Sequence, residues 1–128
     1  MDRSADWLKQ ADRDLQAAEV SAASGHHEWA AFQAQQSAEK AVKALVQSLH
    51  GSVRGHAITE ILRLLPASLS VPQGVFDAGS ELDRVYFTSR YPNGFASGSP
   101  SDYFNPSSSQ RLISYAKTVL EFCRSQVH

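Results

Sequence analysis

One cysteine in 128 residues, Cys123, excludes an internal disulfide, and no cysteine cluster is there to hold zinc. Its place in the last helical pattern reads as a small core residue, and the scarcity of thiols suits a reducing cytoplasm. Net charge is also missing. Twelve Lys plus Arg against thirteen Asp plus Glu leave −1, so no basic field exists to draw in a long polyanion, although a local site for one nucleotide remains open. No stretch of about 18 apolar residues occurs. The N-terminal MDRSADWLKQADRD carries charge where an export signal needs an apolar core, so the expectation is an unexported protein with no membrane span. A Walker-type loop, a dinucleotide fingerprint and any alternating strand pattern are absent as well. A hydrophobic content of 42% over this length suits one domain, residues 1–128, with its own core.

What is present is helical. Glu28 to Leu49 contains neither Gly nor Pro and is rich in strong helix formers. At 3.6 residues per turn, Ala31, Ala34, Ala38, Ala41, Val42, Leu45 and Leu49 make a narrow apolar face that lets another helix come close. Opposite it, Trp29, Phe32, Gln36, Glu39, Lys40 and Lys43 line up as an aromatic, amide and charged stripe. Three readings of that stripe stay open: a ligand site, a seam for a second subunit, or a wet surface where Glu39 and Lys43 form an ordinary i,i+4 pair.

Before this helix, Leu8, Ala11, Leu15, Ala18 and Ala22 predict one from Ser4 to Ser24, with Ser4 or Asp6 as cap and Gly25 as its left-handed end. His26 and His27 fall in the following turn without further ligands, so no metal site is expected. After it, Gly51 reads as the C-cap, and a short helix is expected from His56 to Leu65 through Ile58, Ile61 and Leu62, ended by Pro66. His56 would stand at its start, bonded to the local backbone or at the mouth of a pocket. A fourth helix reads from Gln73 to Thr88, weakened by Gly79.

SRYPNGFASGSPSDYFNPSSS then combines turn formers with Tyr91, Phe95, Tyr103 and Phe104, which predicts a loop pinned to the helices, with Pro92-Asn93-Gly94 as a turn and Arg90 at its base. Asn105-Pro106 marks the start of a last helix built on Leu112, Ile113, Ala116, Val119, Leu120 and Cys123. The expected architecture is all-α: an up-and-down four-helix bundle with an additional short helix and a long ordered loop before the last helix.

Read together, ADWLKQADRDLQAA, FQAQQSAEKAVKAL, the lone His56 and YFTSRYP resemble the HEPN family over essentially the whole chain. That resemblance implies a helical bundle, frequent homodimers, and in prokaryotes a small nucleotidyltransferase partner, as in two-component systems of toxin–antitoxin type. A similar domain closes the large protein sacsin, where nucleotide binding has been described. Some relatives are ribonuclease toxins that use an Arg followed, after four to six residues, by His. Here only Arg124 and His128 come near, with three residues between them, so that motif is absent.

The reading is therefore a non-catalytic, homodimeric module that binds a nucleotide such as ATP or GTP, or a nucleotidyltransferase, with no cofactor. Lys40, Lys43 and Arg90 would meet phosphate, an aromatic such as Trp29, Phe32 or Tyr91 would stack on a base, and His56 would stand nearby. The competing readings are an atypical ribonuclease using His56 with Arg90, and a purely structural dimerisation module.

Overall fold

A computed structural model describes residues 2–127. Its order is α1 (Ser4–Ala23), α2 (His27–Ser48), α3 (Ile58–Arg63), α4 (Gln73–Asp83), α5 (Pro100–Tyr103) and α6 (Pro106–Gln126), with 3-10 turns at Ala67–Leu69 and Pro92–Gly94 and no strand among the described residues. The long helices α1, α2 and α6 pack on one another, α4 closes the bundle against α6, and α3 lies across α2 and α4. The all-helical expectation is met.

Packing follows from side-chain size. On α2, Ala31, Ala34, Ala38, Ala41, Val42 and Leu45 are fully buried, so alanine lets neighbouring backbones approach. The approach is close enough that Ser37 Oγ donates to the main-chain oxygen of Ala11 on α1 at 2.7 Å. Leu49, expected on this face, is 42% exposed because the helix ends at Ser48. Larger side chains complete the same core, in which Leu45, Ile61, Leu62, Leu82, Leu112 and Leu120 gather with Cys123. Burial pushes the Cys123 thiol up to about 12, which leaves it an inert core residue. Two ion pairs, Asp12 with Arg124 and Glu19 with Lys117, clip α1 to α6 along the outside. Arg124 is thus engaged on α1, and His128 lies outside the described residues.

Several boundaries differ from the sequence reading, each for a local reason. The N-terminus of α1 is held by Asp2 rather than by Ser4 or Asp6: the Ser4 N–H donates to Asp2 Oδ1 at 2.7 Å, which also holds that carboxyl below its ordinary range. His50, not Gly51, takes the left-handed conformation after α2, with φ 65°, while the Gly51 N–H closes back on Val46 O. Gly25 is left-handed as expected. His27 begins α2 instead of lying in the turn, and its Nδ1 sits 2.9 Å from Ser109 Oγ of α6. Within the long loop Pro100–Tyr103 forms a one-turn helix, closed by a Ser99 and Asp102 capping box. The start of α6 is as read, with Asn105 Oδ1 accepting from the Ser108 N–H.

The fourth helix stops at Asp83, five residues early, because Asp83 serves another helix. Its carboxylate accepts from the N–H of Ile58 at 2.7 Å, the N–H of Thr59 at 3.1 Å and the Thr59 hydroxyl at 2.7 Å, capping α3 from outside. From Val85 onward the backbone bonds partly to the third residue back, through the β-branched and aromatic run Val85-Tyr86-Phe87-Thr88. Gly79 completes the contact, since a Cβ there would stand 3.0 Å from Ile58 Cγ2. Replacing Asp83 with Ala is expected to cost about 1–2 kcal/mol, the loss of a cap, and to speed hydrogen exchange in α3 before other helices. Denaturant unfolding with amide exchange checks this, and uniform exchange acceleration would count against the cap.

Candidate functional site

The site is built where α2 faces the segment that follows α4. Two amides on consecutive α2 positions, a carboxylate one turn on and a lysine one turn further present one edge of the helix. Glu39, only 4% exposed, is the centre of this edge. Its Oε1 accepts from Gln35 Nε2 at 3.2 Å, Gln36 Nε2 at 3.3 Å and His56 Nδ1 at 3.1 Å, and its Oε2 accepts from Lys43 Nζ at 3.0 Å. Gln35 Nε2 also donates to the His56 carbonyl at 3.2 Å, so the loop before α3 is held twice. His56 precedes α3 by two residues instead of beginning it.

Because a carboxylate only accepts, His56 Nδ1 is the donor in this contact, and Nε2 is left without a partner in the cluster. The imidazole side chain is 54% exposed and stacks on Tyr86, with ring centroids 4.4 Å apart. It is a proton-transfer group in form. Of the cations named from sequence, Lys43 beside it is paired with Glu39, and Arg90 packs into the aromatic cluster described next.

Arg90 lies flat among rings. Its Nε and Nη2 donate to the Tyr86 carbonyl at 3.0 and 2.7 Å, and its guanidinium carbon stands 4.3 Å from the Phe32 ring centre, 4.6 Å from Tyr86 and 5.0 Å from Tyr91. No carboxylate is needed to hold it. Trp29 meets Phe32 edge to face at 6.3 Å, and Phe87 stacks on Tyr91 at 5.0 Å. The result is a continuous face of five rings around one arginine, in which Trp29, Phe87 and Tyr91 remain 50%, 43% and 45% exposed. Beside it, Trp29 and Arg90 share a cavity of about 280 Å³ with Glu28, Ser89, Ser99 and Ser101.

The structure therefore brings together Phe32, Gln36, Glu39, Lys43, His56, Arg90 and Tyr91, with Trp29 at the rim. Lys40 does not join them. It lies one residue, hence about 100° around the helix, from Glu39 and pairs with Asp14 of α1 at 2.5 Å. Three residues of the site were not singled out from sequence, Gln35, Tyr86 and Phe87. Gln35 sits on the same side of the helix as Glu39, a turn earlier, and that i,i+4 amide–carboxylate spacing was the available signal. Tyr86 had none, because its role depends on the helix ending at Asp83.

The HEPN domain family matches residues 4–126. The chain belongs to the HEPN family. Its fold is similar to the crystal structure of a protein from Thermus thermophilus, at 32% identity over 98% of this chain and 99% of that one, with a TM-score of 0.96. It is also similar to an archaeal HEPN homologue, at 35% identity over the full length of both chains and a TM-score of 0.85. A HEPN domain protein of Thermotoga maritima matches at 30% identity over 93% of this chain and 94% of that one, with a TM-score of 0.75. No curated protein matches the chain. Among the described residues of this HEPN chain, no helix is long and apolar enough to cross a membrane, and no group of three or more His, Cys, Asp or Glu gathers as a metal site.

Proposed function

We propose that this HEPN chain is a non-catalytic association module that pairs with a second copy of itself through the Arg90 aromatic face, and that the resulting dimer serves a nucleotidyltransferase partner in a two-component system of toxin–antitoxin type. One observation carries the reading. Lys40 and Lys43, the cations expected to meet phosphate, are each neutralised by a carboxylate, whereas Trp29, Phe87 and Tyr91 stay about half exposed around an arginine already stripped of flexibility. Exposed Trp, Tyr and Arg in contact are the composition of an interface centre.

Sedimentation velocity on the parent and on a Trp29→Ala, Tyr91→Ala double variant tests the pairing. Dimers in the parent, with dissociation made easier by about tenfold or more in the variant, are expected. A parent that stays monomeric at high concentration sinks the reading.

The cavity between Trp29 and Arg90 favours a second reading, binding of a nucleotide such as ATP or GTP, with Trp29 beside the base and the unspent Arg90 N–H groups toward phosphate. Calorimetric titration distinguishes the two. A saturable heat that disappears in Arg90→Gln supports the nucleotide, and its absence in the parent removes it. The ribonuclease alternative lacks the Arg and His spacing that would support it.

A further inference from the structure

On a different surface, the groove between the segment after α4 and the first turns of α6 gathers unspent positive charge. It encloses about 730 Å³ over a floor of Val85 and Leu112, and Arg84 enters from one wall and Arg111 from the other. Tyr115 stands beside Arg111 one turn on. Among the described residues lining the groove, the only carboxylate is Glu81, which reaches Arg84 Nη1 at 3.6 Å, too far for a hydrogen bond, while the other ion pairs among the described residues are at 3.1 Å or less. Among the described residues, neither guanidinium donates a hydrogen bond to a protein acceptor, Arg111 has no ion pair, and the Tyr115 hydroxyl has no partner. Thr88 adds no further donor, because its hydroxyl already donates to the Arg84 carbonyl at 3.0 Å.

Two guanidinium groups lining one groove favour an anion between them. The unspent groups are therefore donors and cations, which selects a ligand rich in acceptors and negatively charged. We infer that this groove binds the phosphoryl group of a small molecule, a condensed phosphate or a phosphomonoester, held by Arg84 and Arg111 with the Tyr115 hydroxyl as third donor. Phosphoryl oxygens match the planar fork of guanidinium from two directions at once, which a single carboxylate does not. A small ligand, not a strand of nucleic acid, fits the balance of charge: the chain as a whole carries −1, so no broad basic field extends the groove along a polyanion. The inference is independent of the Arg90 face, which it does not use.

The test is titration of sodium tripolyphosphate into the full chain at low ionic strength, followed by calorimetry, with a short uridine oligonucleotide titrated in parallel. Saturable binding of tripolyphosphate is expected, weakened about tenfold or more by either Arg84→Gln or Arg111→Gln and left unchanged by Arg13→Gln, an exposed arginine of α1 outside the groove. Both groove arginines are exposed, so their replacement leaves the packed core untouched. No saturable binding in the parent overturns the inference. So does equal weakening by Arg13→Gln, which would reveal diffuse attraction, or binding of the oligonucleotide without binding of tripolyphosphate.

Discussion

Replacing Glu39 with Ala is expected to lower stability by about 3–5 kcal/mol, seen as a fall in Tm of roughly 10–20 °C for a chain of this size. The carboxylate is 4% exposed and answers four donors, so its removal strands more than one partner. Lys43, with its side chain only 14% exposed, would keep a charge in a half-dry setting without its acceptor. His56 would lose the group that fixes its tautomer, and the loop before α3 would keep only the Gln35 bond to its carbonyl. Glu39→Gln separates the causes. The amide oxygen still accepts from the neighbouring donors while the ion pair with Lys43 is lost, so a cost of about 1–3 kcal/mol is expected. Chemical denaturation of both variants decides the matter. A loss below about 1 kcal/mol in Glu39→Ala would make the cluster equivalent to a surface salt bridge.

The second large effect belongs to the alanine face of α2. Ala41 is fully buried, and on the helix it lies one turn beyond Ser37, whose hydroxyl reaches the backbone of α1. Leu at position 41 has no space to enter, so the helices must separate or the side chain must leave its preferred rotamer. A destabilisation of about 1–3 kcal/mol is expected. Unfolding curves that overlay the parent would show that the two helices are further apart than the Ser37 contact implies.

Most of the helical architecture was legible because it rests on periodicity, and periodicity is written locally. Apart from Leu49, the apolar positions read on α1, α2 and α6 are buried or partly buried against the core, the left-handed Gly25 ends α1, and Asn105 with Pro106 opens α6. The misread boundaries share one cause: a residue was assigned to its own segment when its bonds go elsewhere. Asp83 reads as the penultimate turn of a helix in sequence, yet its carboxylate caps α3, 25 residues away, and the helix ends there. His50 takes the left-handed turn, and Gly51 is needed instead for close approach, since its N–H closes on Val46 O and a Cβ there would meet Val46 Cγ1 at 3.0 Å.

The site was legible as a set of residues and not as a set of roles. Helical projection alone placed Phe32, Gln36, Glu39 and Lys43 on one edge of α2, and the structure keeps them there. Projection also put Lys40 with them, because a stripe drawn on a wheel has no depth. Only the position of α1 shows that Lys40 turns to Asp14. A charged Glu39 reads as solvated surface until the His56 loop folds over it, and Arg90 reads as a free cation until Tyr86 presents its carbonyl and ring.

By itself, then, the sequence determined which segments are helices, which faces are apolar, and that no thiol, metal or membrane chemistry is written into the chain by motif. These depend on residue type and on spacing within a few turns. Which charges are spent and which remain was decided only by the tertiary structure, because a charge is cancelled by whatever lies across a helix interface, and that neighbour is distant in sequence: Asp14 for Lys40, Asp12 for Arg124, and for Arg111 no carboxylate among the described residues.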